Sequence, residues 1–72
     1  MIGYKRVFEE TGRIRYEFYP NGDVSAPGIV EFEEGLPPKI IQHSEKDTKM
    51  YFAIHALTGI DPTKESGTVA WY

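Results

Sequence analysis

Large apolar residues alternate with charged ones most regularly at Ile14, Tyr16 and Phe18, set against Arg13, Arg15, Glu17 and Tyr19. A period of two turns one set to each side of an extended chain, so the pattern predicts a half-buried strand. Ile2, Tyr4, Arg6 and Phe8 alternate with Gly3, Lys5, Val7 and Glu9, predicting a preceding strand. Two registers can join them. A two-residue turn at Thr11-Gly12 sets Val7 against Tyr16 and Lys5 against Phe18, burying a lysine beside an aromatic ring. A three-residue loop, Glu10-Thr11-Gly12, with Gly12 left-handed, sets Phe8 against Ile14 and Tyr4 against Phe18. It also pairs Glu9 with Arg13 and Lys5 with Glu17 on the wet face, and is the register the pattern favours.

Tyr19-Pro20-Asn21-Gly22-Asp23 predicts a second three-residue turn, with positive φ at Gly22, leading into a strand with Val24 opposite Phe18 and Ala26 opposite Tyr16. Pro27-Gly28 interrupts that strand, and Ile29 to Glu33 resumes it with Val30 and Phe32 on one side. After a loop over 34–38, in which Leu36 is apolar without an evident place, Lys39 to His43 can return as a fourth strand. Ser44-Glu45-Lys46-Asp47 has the form of a helix start with Ser44 as N-cap. In that helix Met50, Ile54 and Leu57 form the core stripe, flanked by Tyr51 and Ala53, and Gly59 caps the end. Thr68 to Tyr72 has strand character and is expected to return beside the N-terminal strand. The fold class is therefore α+β: an antiparallel meander of four to five strands with one helix packed on one face, in the order β-β-β-β-α-β.

Seventy-two residues without cysteine make one small domain that must be held by packing rather than by disulfides. Ten aromatic residues, four Phe, five Tyr and one Trp, supply the bulk. The net charge of −3 opposes a general attraction to phosphate backbones or anionic lipid. The start MIGYKR reaches charge quickly and offers no stretch for a signal peptide, and no run approaches the length of a membrane span. The expectation is a soluble cytoplasmic protein with no membrane partner.

His43 and His55 have neither thiols nor a third histidine beside them and lack the spacing of a metal pair, so no metal or cofactor is expected. Arg6, Arg13 and Arg15 lie among Tyr4, Phe8, Tyr16 and Tyr19, a mixture found on sheets that bind single-stranded nucleic acid. Glu9 and Glu17 share the face of Arg13 and Arg15, which favours a solvated ion-paired surface instead. Glu31, Glu33 and Glu34 read as a wet strand face. Phe52, Trp71 and Tyr72 remain once the helix stripe and middle strand have filled the core, and fit a protein contact surface.

The segments YEFYPNGDVSAPGIVEFEEG, HSEKD and YFAIHAL, spread over about residues 13–57, resemble a group of short hypothetical proteins of Gram-positive bacteria and their mobile elements. The shared features are the tyrosine-rich strand, the Pro-x-Gly-Asp turn, the Pro-Gly-Ile-Val strand and the Ala-x-His-Ala helix. The resemblance implies no activity or ligand, but it draws attention to His55. The expected function is a non-enzymatic protein-interaction module, with homodimerisation as one form of it, binding through Phe52, His55, Trp71 and Tyr72. The alternative is single-stranded nucleic-acid binding through the aromatic and arginine residues of the sheet.

Overall fold

The structure is a computed structural model describing residues 1–70; Trp71 and Tyr72 lie outside the described residues. Its elements are β1 (Ile2–Glu10), β2 (Arg13–Pro20), β3 (Gly28–Glu33), β4 (Lys39–Gln42), α1 (Tyr51–Gly59) and β5 (Ser66–Val69). The strands form one antiparallel sheet in the order β4-β3-β2-β1-β5. The meander and the return of the last strand beside the first are as the sequence predicts. α1 lies across the face that carries Ile2, Tyr4, Tyr16, Phe18 and Val30, all buried.

The first hairpin uses both candidate registers. Tyr4 opposes Phe18 and Lys5 opposes Glu17, as expected, but beyond Arg6–Tyr16 the pairing shifts at a bulge around Val7. Phe8 then faces Arg15, Glu9 faces Ile14 and Glu10 faces Arg13, leaving a two-residue turn at Thr11-Gly12. The expected Phe8–Ile14 and Glu9–Arg13 pairs are thus replaced. One extra residue in β1 lets aromatic rings meet at one end while a short turn closes the other.

The second connection also departs from expectation. Asn21 and Gly22 both take positive φ, 53° and 77°, and Asp23 N–H donates to the Pro20 carbonyl at 3.0 Å, the geometry of a mirror-image hairpin turn. Yet no tight hairpin follows. Val24 is 72% exposed, and β3 begins at Gly28, which faces Phe18. Tyr16 accordingly opposes Val30, not Ala26. Two constraints account for this: Pro27 has no N–H for a ladder, and a Cβ at position 28 would overlap the Phe18 ring.

The helix starts later than Ser44. Ser44 is buried, but its hydroxyl donates to the Ala26 carbonyl and accepts the Lys46 N–H. Asp47 is the residue that supports the helix start: its carboxylate accepts the N–H groups of Phe52 (3.2 Å) and Ala53 (2.8 Å). The inward face is Ala53 and Ala56, with Ile60 beyond and Phe52 and Leu57 packed at the sides. Met50 and Ile54, expected inside, are 40% and 52% exposed. Large rings already fill the sheet side of the interface, so close packing requires small residues on the helix side. Gly59 lies inside the helix rather than capping it at positive φ; a Cβ there would collide with Val69 of β5.

Gly28→Ala is expected to destabilise the domain by about 1–3 kcal/mol through overpacking, and Asp47→Ala by about 1–2 kcal/mol through the lost helix-start bonds. Chemical denaturation of each variant checks both. Val24→Thr, on the exposed loop, should change stability by less than about 0.5 kcal/mol.

Candidate functional site

The two faces of the sheet differ in kind. On the face opposite α1, Arg13, Arg15 and Lys39 converge on Glu31, whose side chain is 1% exposed. Arg15 Nε donates to Glu31 Oε1 at 2.8 Å, Lys39 Nζ lies 3.2 Å from Oε2, and Arg13 Nε stands 3.9 Å from Oε1. The cross-strand pairs Arg15–Glu31 and Glu31–Lys39 bring these groups together. The Val7 bulge adds Phe8 to the same face, with the Arg13 and Arg15 guanidiniums 5.5 and 5.2 Å from its ring centroid. Glu31 therefore acts as the buried hub of a partly exposed ion cluster rather than as part of a wet acidic face. Sequence pattern places it outward, and that position is right; its burial depends on three long side chains closing over it.

The Arg15 hydrogen bond, opposed by desolvation and aided by Lys39, holds the Glu31 carboxyl below the ordinary glutamate value. On the same face Tyr19 donates to Glu17 Oε1 at 2.8 Å. Burial, reinforced by that bond, pushes the Tyr19 phenol up to about 12. Arg13 and Arg15 of the supposed nucleic-acid surface are thus ion-paired with Glu31. Arg6 is separated from them altogether: it lies on the helix side and donates to Tyr16 Oη (3.1 Å) and to the carbonyls of Pro62 (3.0 Å) and Lys64 (3.3 Å).

The outward face of α1 has a different character. Its sequence, YFAIHALTG, contains no Asp, Glu, Lys or Arg. Tyr51 and Ile54 are 62% and 52% exposed and lie three residues apart, hence on one side, and Met50, the left-handed residue just before the helix, is 40% exposed. Thr58 continues that side, and its hydroxyl donates back to the Ile54 carbonyl at 3.1 Å. The side chain's polar group is therefore satisfied within the helix, and the surface offered outward is predominantly apolar.

Among the residues singled out from sequence, Phe52 is partly buried against the core and His55 is half-buried on the same helix. Trp71 and Tyr72 lie outside the described residues. His43 is exposed after β4, remote in sequence from His55. Among the described residues no group of three or more His, Cys, Asp or Glu is placed to hold a metal ion, and no helix is long and apolar enough to cross a membrane. The apolar residues exposed at the helix are Met50, Tyr51 and Ile54, which the helical pattern assigns inward or to the flank. A signal for this lies in the sequence: a helix without Asp, Glu, Lys or Arg has no strongly polar face to turn to water. No family model, curated protein or solved structure matches the chain.

Replacing Glu31 by Gln should lower the melting temperature at neutral pH by leaving Arg13, Arg15 and Lys39 without their shared carboxylate. Because the folded carboxyl value lies below the unfolded one, this contribution is present above the unfolded glutamate range, about 4.3. It fades as pH falls through the folded value. The gap in melting temperature between the wild type and Glu31→Gln should therefore narrow on acidification, and a gap independent of pH would contradict the cluster's role.

Proposed function

We propose that this protein is a non-enzymatic interaction module that associates through the outward face of α1, with a second copy of the chain as its partner. The observation that carries this reading is the helix itself: Tyr51 and Ile54 stand exposed on a helix without Asp, Glu, Lys or Arg, with exposed Met50 at its N-cap. A surface helix of a small domain ordinarily turns charged residues to solvent. Here the outer side is predominantly apolar, and its burial requires another surface.

A second copy suits the patch on electrostatic grounds. The chain carries a net charge of −3, yet the patch contributes none of it, so two such faces meet across a twofold axis without like charges in contact. The helix extends about 13 Å over its nine residues, which is short for the roughly 800 Å² per partner of a standard stable interface. The association is accordingly of the transient kind. The ion-paired state of Arg13 and Arg15 supports this reading over the nucleic-acid one, since binding phosphate there must compete with Glu31.

Sedimentation velocity from about 10 μM to about 1 mM, the range of weak self-association, should show a mass that rises with concentration. The double variant Tyr51→Glu, Ile54→Glu should remain monomeric while keeping its melting temperature, because both positions are exposed. A wild-type mass that stays at 8.2 kDa throughout would overturn the proposal. Phe52→Ala is a poor probe here, since Phe52 packs on the core and its truncation reports stability.

A further inference from the structure

The apolar side of the sheet continues past the helix. At 1.5 Å per residue α1 covers about 13 Å, whereas the eight residues of β2 reach about 26 Å. Ile14 and Phe32, paired across β2 and β3 near the turn end, are partly buried. Leu36, apolar without an evident role in the sequence, stands beside them at 57% exposure. With the Thr11-Gly12 turn these residues line an open groove of about 860 Å³. Its walls are tied together, for the Glu34 N–H donates to the Gly12 carbonyl at 2.8 Å and the Leu36 N–H to the Glu33 carbonyl at 3.0 Å.

The groove's charge is one-sided. Glu9, Glu10, Glu33 and Glu34 line it against Arg13; Arg13 is already 3.4 Å from Glu10 and 3.9 Å from Glu31, and Glu9 is 3.5 Å from Arg6, so Glu33 and Glu34 carry most of the groove's unbalanced charge. These carboxylates do not gather as metal ligands would, since no cluster of three or more such donors occurs among the described residues. Spread around an apolar floor, they suit a ligand whose positive charges are also spread.

We propose that this groove docks a segment of a partner protein in which lysine or arginine flanks a bulky apolar residue. The apolar side chain covers Ile14, Phe32 and Leu36, where removal of water gives the main gain. The flanking cations reach the carboxylates, which attract them and disfavour acidic or neutral competitors. This surface is separate from the outer face of α1, so either can fail without the other.

The test is a titration of the isotopically labelled protein, followed by amide chemical shifts, with the peptide acetyl-Gly-Lys-Phe-Lys-Gly-amide. Two controls replace Phe by Ser or both Lys by Glu. Saturable shifts confined to residues 9–14 and 32–36 are expected, with affinity reduced about fivefold or more by Leu36→Ser and by the pair Glu33→Gln, Glu34→Gln. Raising salt from about 20 to about 300 mM should weaken binding. The serine peptide should bind more weakly and the glutamate peptide not measurably. Absence of saturable shifts at about 2 mM peptide, equal binding by the serine peptide, or shifts scattered over other acidic positions would each overturn the proposal. The peptide comparison uses wild-type protein throughout and stands even if a variant folds poorly.

Discussion

The phenol of Tyr16 sets the position of much of the chain. Its ring is fully buried in the middle of the sheet, edge-on to Tyr4 at 5.6 Å and to Phe32 at 5.8 Å. A hydroxyl carried that deep requires a partner, because leaving one unsatisfied costs about 1–3 kcal/mol. Tyr16 Oη donates to the Lys64 carbonyl at 2.7 Å and accepts from Arg6. Arg6 in turn holds the Pro62 and Lys64 carbonyls, and its own N–H meets the Glu65 carbonyl at 2.7 Å. One buried ring thereby fixes the passage from α1 to β5, and β5 then pairs Val69 with Ile2.

With the crossover held, α1 must lie close to Tyr16 and Phe18, and closeness selects small residues. Ala53 and Ala56 face the sheet, and Gly59 admits Val69. The larger helical residues are displaced outward or to the side. The same economy leaves Ile14 and Phe32 incompletely covered at the turn end. Both exposed apolar surfaces thus arise from one mismatch, a long sheet rich in aromatic rings served by a short helix.

This mismatch also explains what could be read from the sequence. Alternation over residues 13–19 and the glycine turns identified the first two strands, because period and turn chemistry are local properties. The bulge at Val7 was hidden because each of the two regular registers satisfied half the hairpin. Gly28 gave little sign of facing Phe18, since a contact between distant residues leaves no mark on local pattern. The helical period places Met50 and Ile54 inside, although the side chains opposite them decide which helix face can approach. Of the site, Leu36 stands out in the sequence as unexplained and the acidic run reads only as a wet strand face; the groove joining them to Ile14 depends on the three-dimensional arrangement of two turns.

The distribution of charge follows from the same geometry. Arg13, Arg15 and Lys39 surround Glu31, while Arg6 is bound to Tyr16 and the crossover and lies 3.5 Å from Glu9. Four of the eight basic residues are thus drawn into internal networks on or beside the sheet. The carboxylates of Glu33 and Glu34 do not share in the Glu31 cluster, whereas Glu10 at the neighbouring turn is paired with Arg13. A modest excess of three negative charges over the whole chain therefore need not be diffuse. Where cations are consumed by one buried carboxylate, the adjacent exposed ones retain their field, and an apolar floor of low polarizability strengthens it. The ion cluster that steadies one face of the sheet is in this sense what makes its turn end anionic.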